Sequence, residues 1–342
     1  MSRAPGEDRP TGAAGAAPQS PRETRQPSAG APEDAPQGLP SEAPPPLGER
    51  LPAAAPRATA AVIPASIEVG GWTLEPLLEG SLRLDGGAMW GVVPKNLWSA
   101  WTPAAEDNTI ALAARPFLAR RGDLVVVIEA GVGARWDQKK RAYFHLDGGH
   151  LEAALAARGV RPEQVGHAVA SHAHWDHIGA WVVERDGQPA PLFQNARHHL
   201  SALEIRRCLD PEPVRRASYR ALDLEALEAR GLLEPFSGER ELLPGLSVLE
   251  VGGHSAGISV ILIGDRGGPR AVFWSDVCPT SHHIQPPYIM AYDLDVLRSF
   301  EQRSRLFAEA AEQGWLSLFF HDPERALGRL VQDGPRFRLV EA

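Results

Sequence analysis

Apolar residues along this chain recur in short blocks rather than in long stripes. The segment SIEVGGWTLEPLLEGSLRL, from Ser66, mixes β-formers with glycine and predicts opening strands. TIALAARPFLAR (109–120) and DLVVVIEAG (123–131) predict two more, the second fully buried because its apolar run is unbroken. HLEAALAARGV (150–160) has helical spacing, with Gly159 as a stop. VGHAVAS (165–171) reads as a short strand. RHHLSALEIRRCL (197–209) and LDLEALEARGLL (222–233) read as helices, the first opened by His198 and His199. LSVLEVGG (246–253), GISVILIGD (257–265), RAVFWSD (270–276) and LSLFF (316–320) read as strands. DLDVLRSFEQRSRLFAEAAEQG (293–314) is the longest predicted helix, with Asp293 as its N-cap. Strands dominate early and mix with helices later, which predicts an α/β chain of sheets with helices packed outside them.

Residues 1 to 65 depart from this pattern. Fourteen of the 31 prolines lie there, with no aromatic residue. Such a segment buries too little apolar surface to offset the entropy of ordering, so a disordered tail is expected, followed by one domain over 66–342. The net charge of -8 argues against a broad electrostatic grip on nucleic acid. The two cysteines, Cys208 and Cys278, form no C-x-x-C pair, and a reducing compartment is the simpler reading. No run approaches the apolar length of a membrane span, and no apolar signal region opens the chain. No membrane and a cytoplasmic location are therefore expected.

The stretch SHAHWDHIG (171–179) changes the picture. It packs His172, His174, Asp176 and His177 into six positions at the end of an apolar strand. His172 and His174 alternate, so in an extended segment they share a side. Imidazole nitrogen and carboxylate oxygen are good ligands for first-row metals. Three more ligand types end apolar strands: His254 after LSVLEVGG, Asp276 in RAVFWSD and His321 after LSLFF. Five histidines and two aspartates exceed what one four-coordinate cation uses. Two divalent metals sharing one carboxylate fit the count.

The chain resembles the metallo-β-lactamase superfamily. The likeness rests on H-x-H-x-D-H at 172–177, G-H-S-A-G at 253–257, S-D at 275–276 and F-H-D-P at 320–323. GGAMWGVVPKNLW (86–98), FQNARHH (193–199), SDVCPTSHHI (275–284), PYIMAYDLDVL (287–297) and GWLSLFFHDP (314–323) are similar to the YtnP-type quorum-quenching lactonase branch. That branch lies near N-acyl homoserine lactone lactonases and methyl parathion hydrolases. The resemblance implies a four-layer αββα sandwich. It implies that His172, His174 and His254 hold one metal, that Asp176, His177 and His321 hold the other, and that Asp276 bridges them. Zinc is the default, with manganese, cobalt and iron acceptable to the same ligands.

The expected activity is opening of a lactone ring, N-acyl homoserine lactone-like, by a hydroxide bridging the two metals. The alternative keeps the site and cleaves phosphotriesters or aryl and carboxyl esters. A silent metal-binding module would be expected to have lost a ligand, and all seven are present. Asp176 and Asp276 are expected to serve catalysis as well as ligation, Asp176 by shuttling the leaving-group proton. His283, seven positions after Asp276, is either substrate-facing or a hydrogen-bonded loop histidine. No tyrosine follows directly on Asp276, where Val277, Cys278, Pro279 and Thr280 stand, so the proton donor is unassigned. Trp90, Trp98 and Trp101 either line an acyl pocket, anchor their loop or join a homodimer contact.

Overall fold

A computed structural model of the chain describes residues 63–342. The tail expected over 1–65 lies outside the described residues except for its last three positions.

Two seven-stranded mixed sheets form the centre. One holds, in spatial order, Ile67–Val69, Trp72–Pro76, Phe117–Arg121, Leu124–Ile128, His167–Val169, Arg197–Ser201 and Leu233–Phe236. The other holds Glu239–Leu243, Leu246–Glu250, Ser259–Ile263, Ala271–Phe273, Leu316–Leu318, Leu327–Asp333 and Arg336–Val340. Period-two alternation decides which face each residue serves. Leu74, Phe117, Val126, Ile128 and Val169 of the first sheet pack with Val248, Ile261, Phe273 and Leu318 of the second. Their strand neighbours Leu118, Val127, Ala168 and Leu200 turn the other way, onto Leu155, Cys208, Leu224 and Leu227 of the helical layer. Val260, Leu262 and Val272 turn outward onto Leu306, Phe307 and Ala310 of the helix Val296–Glu312. Strands buried on both faces explain why their apolar runs are unbroken. The result is the layer order helix, sheet, sheet, helix.

Each sheet contains parallel pairs. Leu124–Ile128, His167–Val169, Arg197–Ser201 and Leu233–Phe236 run parallel in one; Ala271–Phe273 and Leu316–Leu318 do so in the other. Parallel neighbours need crossovers, and the long helix Val296–Glu312 is one of them. Where the two sheets meet at one rim, Ser171 Oγ donates to Ser275 Oγ at 2.7 Å and Ser259 N donates to Ser171 O at 2.9 Å. The strand ends that carry the ligand-type residues therefore converge. Among the described residues no helix is long and apolar enough to cross a membrane.

Two expectations need correction. Residues 197–201 form a strand, held by ladders to both neighbours, and the helix starts only at Ala202. Ser201 supplies its cap, accepting from Leu203 N at 3.1 Å. Pairing on both edges overrides the weak local preference of Arg-His-His-Leu. The long helix is capped by Asp295, whose side chain accepts from Arg298 N; Asp293 lies before it and has another partner, His254.

The strand assignment turns His198 into the helical layer beside Trp181, fully buried with neither ring nitrogen partnered. Burial draws its pKa down to about 4. In the unfolded chain the ring keeps its ordinary value near 6.5, so acid favours unfolding. The stability tied to neutral His198 is present above pH 6.5 and is lost as the pH falls toward 4. Between pH 7 and 5 this amounts to about 2 kcal/mol. Urea titrations of His198→Leu should show a correspondingly flatter acid limb than the parent; equal slopes would contradict the assignment.

Candidate metal centre

His167–Val169 leads through a bend at Ser171 to His172 and on to His174, where the backbone is extended again. The chain then turns once as the helix Trp175–Ile178, which brings Asp176 and His177 round to the same spot. His254 sits in the turn between Leu246–Glu250 and Ser259–Ile263. Asp276 lies in a short turn after Ala271–Phe273, and His321 follows Leu316–Leu318. All seven side chains are buried.

They gather into two groups with Asp276 between. His172, His174, His254 and Asp276 bring ligand atoms within 4.8 Å of one another, and so do Asp176, His177 and His321. Asp276 Oδ2 is 3.1 Å from His254 Nε2 and 3.9 Å from His172 Nε2. Its Oδ1 is 3.3 Å from His177 Nε2 and 3.2 Å from His321 Nε2. Asp176 Oδ2 stands 3.6 Å from His321 Nε2.

The donor set fits bound cations. Nitrogens sharing one tetrahedral cation at about 2.0–2.1 Å stand roughly 3.3 Å apart. His254 Nε2 and His174 Nδ1 are 3.2 Å apart, and His321 Nε2 and His177 Nε2 are 3.3 Å apart. His172 Nε2 and Asp276 Oδ1 are buried with no hydrogen-bond partner, which is costly unless something else occupies them. The opposite ring nitrogens of His172, His177, His254 and His321 are held from behind, as ligating imidazoles require, whereas His174 Nε2 has no partner among the described residues. His254 Nδ1 is 3.0 Å from Asp293 Oδ1, and His321 Nδ1 donates to Ala113 O at 2.9 Å. His172 Nδ1 meets Ser171 Oγ at 2.8 Å. His177 Nδ1 faces Ser275 Oγ at 3.3 Å and Glu129 Oε2 at 3.6 Å.

The model of the metallo-β-lactamase superfamily matches residues 115–288, just over half of the chain. The chain belongs to that superfamily. The N-acyl homoserine lactonase AiiB of Agrobacterium fabrum (strain C58 / ATCC 33970) is 25% identical over 239 residues, 65% of this chain and 84% of the relative. A probable metal-dependent hydrolase from Staphylococcus aureus superposes with a TM-score of 0.74 at 28% identity, covering 81% of this chain and 99% of that one. The dizinc quorum-quenching lactonase AidC superposes at 0.66 with 18% identity, covering 81% and 96%, a likeness of fold. The chain is a metal-dependent hydrolase of that superfamily.

Electrostatics inside this metallo-β-lactamase site are strongly coupled. Burial acts to raise the Asp276 carboxyl, but His177, His321 and His254 outweigh it and hold it well below the carboxylate range. Burial pulls His172 and His174 well below the ordinary imidazole value. Burial also acts against protonating His254, yet Asp276 and Asp293 lift it to about 9. His177 is lifted well above its usual value against the same burial, by Asp276, Asp176 and Glu129.

A cavity of about 150 Å³ opens over the cluster. His174, Asp176, His254, Asp276 and His321 form its floor. Met89, Phe144, Trp175 and Met290 are among its apolar walls, and Tyr292 joins them. The structure does not bring His283 to this cavity. Both ring nitrogens are engaged, Nε2 with Met89 O at 3.0 Å and Nδ1 with Thr280 Oγ1 at 2.8 Å, and the ring stacks on Trp90 at 4.0 Å. Of the two readings of His283, the hydrogen-bonded loop histidine is the one its surroundings show. Trp90, Trp98 and Trp101 do not line this cavity either. Trp90 donates to Thr102 and stacks on His283, so it anchors the loop behind the wall.

Sequence reasoning missed the residues behind the ligands. Glu129 ends its apolar strand, the same signature that marked the histidines, and it holds Ser171 N at 3.1 Å. It adopts a positive φ of 61°, as does Ser275 at 48°, strain of the kind that collects at functional sites. Glu204 accepts from Ala173 N at 3.1 Å and Gly257 N at 2.8 Å, tying two ligand-bearing loops together.

Two outcomes follow. Asp293→Asn should weaken zinc affinity about 10–100-fold with the fold intact. Asp295→Ala should leave that affinity alone and cost about 1 kcal/mol of stability; equal effects on affinity would contradict the distinction. In the metal-free protein the raised pKa values of His254 and His177 favour their protonated forms. Metal capture should therefore release protons at pH 7, and apparent affinity should keep rising through about pH 9, where half of His254 has lost its proton. Calorimetry in buffers of different ionisation enthalpy measures the count; zero release at pH 7 would contradict it.

Proposed function

We propose that this protein is a dinuclear metal hydrolase that opens lactone rings of the N-acyl homoserine lactone kind. The observation that carries the reading is Asp276, which turns one carboxylate oxygen to each histidine group. In this reading His172, His174 and His254 hold one cation. Asp176, His177 and His321 hold the second, and Asp276 is shared between them. Zinc suits this set of imidazoles and carboxylates, with manganese, cobalt or iron as substitutes. Two such cations, when bound, supply a nucleophilic oxygen at neutral pH and polarise the substrate carbonyl.

The chain's own residues do the rest. Met89, Phe144, Trp175 and Met290 give the cavity an apolar wall that accepts an acyl chain and excludes water beside the reacting ester. Asp176 reaches the cavity floor without a hydrogen bond among the described residues, so it can hold the proton delivered to the ring oxygen as it leaves. His283 takes no direct part; with Trp90 it fixes the short helix that carries Met89. The lactonase AiiB, the relative aligned over most of its length, supports the substrate class.

The test is a pH-stat assay of zinc-loaded protein on acyl homoserine lactones of several chain lengths, beside paraoxon-like triesters and aryl esters. Lactone opening is the expected outcome. Asp276→Ala should lower kcat/KM on the order of a thousandfold, and a chelator should abolish turnover reversibly. Cleavage of the esters with no lactone opened would reject the substrate class and leave a metal hydrolase. No turnover of any of them by protein shown to carry metal would reject the reading as a whole.

A further inference from the structure

A second cavity, of about 300 Å³, lies on the other side of the turn that carries His254. Gly253 and Ser255 line this cavity, whereas His254 between them lines the one over the metal ligands. The turn is thus a wall with two faces. Gly252 lets the wall lie close to the long helix: its φ is +68°, and a methyl group there would stand 2.9 Å from Arg298 Nε.

The cavity is lined by three arginines, in a protein whose net charge is -8. Arg207 is matched, 2.7 Å from Glu212. Asp295, also on the wall, is occupied as the cap of the long helix, accepting from Arg298 N at 3.0 Å. Arg215 and Arg298 form no ion pair with any carboxylate among the described residues. Arg215 donates one N–H to Tyr292 O at 2.5 Å and leaves Nε unpartnered; Arg298 donates Nε–H to Val251 O at 2.6 Å. Ser255 is 1% exposed, and its hydroxyl has no partner. A buried hydroxyl and the buried Nε of a half-exposed arginine, both left unsatisfied, cost free energy that a bound acceptor would recover. The acceptor must be small, oxygen-rich and negatively charged.

We propose that this cavity is a binding site for a small oxyanion, a carboxylate or a phosphate, held by Arg215, Arg298 and Ser255 apart from the metal ligands. The site does not depend on the hydrolytic reading. It is tested by calorimetric titration of zinc-loaded protein with inorganic phosphate in one arm and acetate in the other. Saturable binding of either is expected, and the tighter of the two identifies the anion. Arg298→Gln should weaken it about tenfold, and Ser255→Ala, the milder change, about fivefold. His321→Ala, which disrupts the metal cluster, should leave it unchanged. Absence of binding in both arms would overturn the proposal. So would binding indifferent to both cavity variants, or binding lost in His321→Ala, which would locate the anion at the metal ligands.

Discussion

A single buried carboxylate, Asp276, sets the terms for the rest of this molecule. It stands among His172, His177, His254 and His321 at 3.1–3.9 Å, away from solvent. A buried charge is tolerated only when it is paired and held in good geometry. Five imidazoles and a second carboxylate crowd the same space, so their directions cannot be left to chance. The ligands reach this spot from strand ends of both sheets, and the sheets are locked by an apolar layer between them. The four-layer build is what lets residues 177 and 321 meet.

Rigid strands deliver backbone, but the last few residues before each ligand are loops, and loops need their own ties. Glu204 bonds the backbone on either side of the cup, at Ala173 and at Gly257, and also accepts from Tyr219 at 3.3 Å. Glu79 holds Val132, Gly133 and Gly149 through one carboxylate. Arg303, buried on the long helix, donates to Val277 O at 2.6 Å and to the carbonyls of His283, Gln285 and Pro286, fixing the segment that leaves Asp276. Charged groups suit this task because each offers several donor or acceptor sites and makes stronger hydrogen bonds to the backbone than a neutral group does.

These ties explain what could be read from the sequence and what could not. H-x-H-x-D-H and the strand-end positions of His254, Asp276 and His321 were legible because strand ends obey a local rule, apolar run then ligand. The layered α/β order was legible for the same reason. Glu204 shows the limit. Ser201 and Glu204 spell the S-x-x-E signature of a helix start, and Ser201 does cap the helix. Glu204 instead turns to loops 31 and 53 residues away, which no local pattern records. Asp293 was misread in the same way: it stands two residues before the true cap, and its partner His254 is 39 residues distant. His198 and His199 were assigned to a helix because parallel pairing, the deciding contact, joins residues far apart in the chain.

Chemistry and selectivity have different structural sources in this protein. The ligands come from strand ends, where a shift would disturb the sheets. Apart from Trp175, which neighbours Asp176, the cavity walls come from elsewhere: Met89 from a short helix between the paired strands Gly80–Asp85 and Thr109–Ala114, Phe144 from the end of another, Ala217 and Ser218 from a single helical turn, Met290 and Tyr292 from the segment before the long helix. Loops of this kind change length and sequence at low cost to stability. The cup can therefore stay constant while the walls change. This is why the His/Asp cluster could be read from residue types and spacing, whereas the shape of the cavity over it depends on how four separate segments happen to meet.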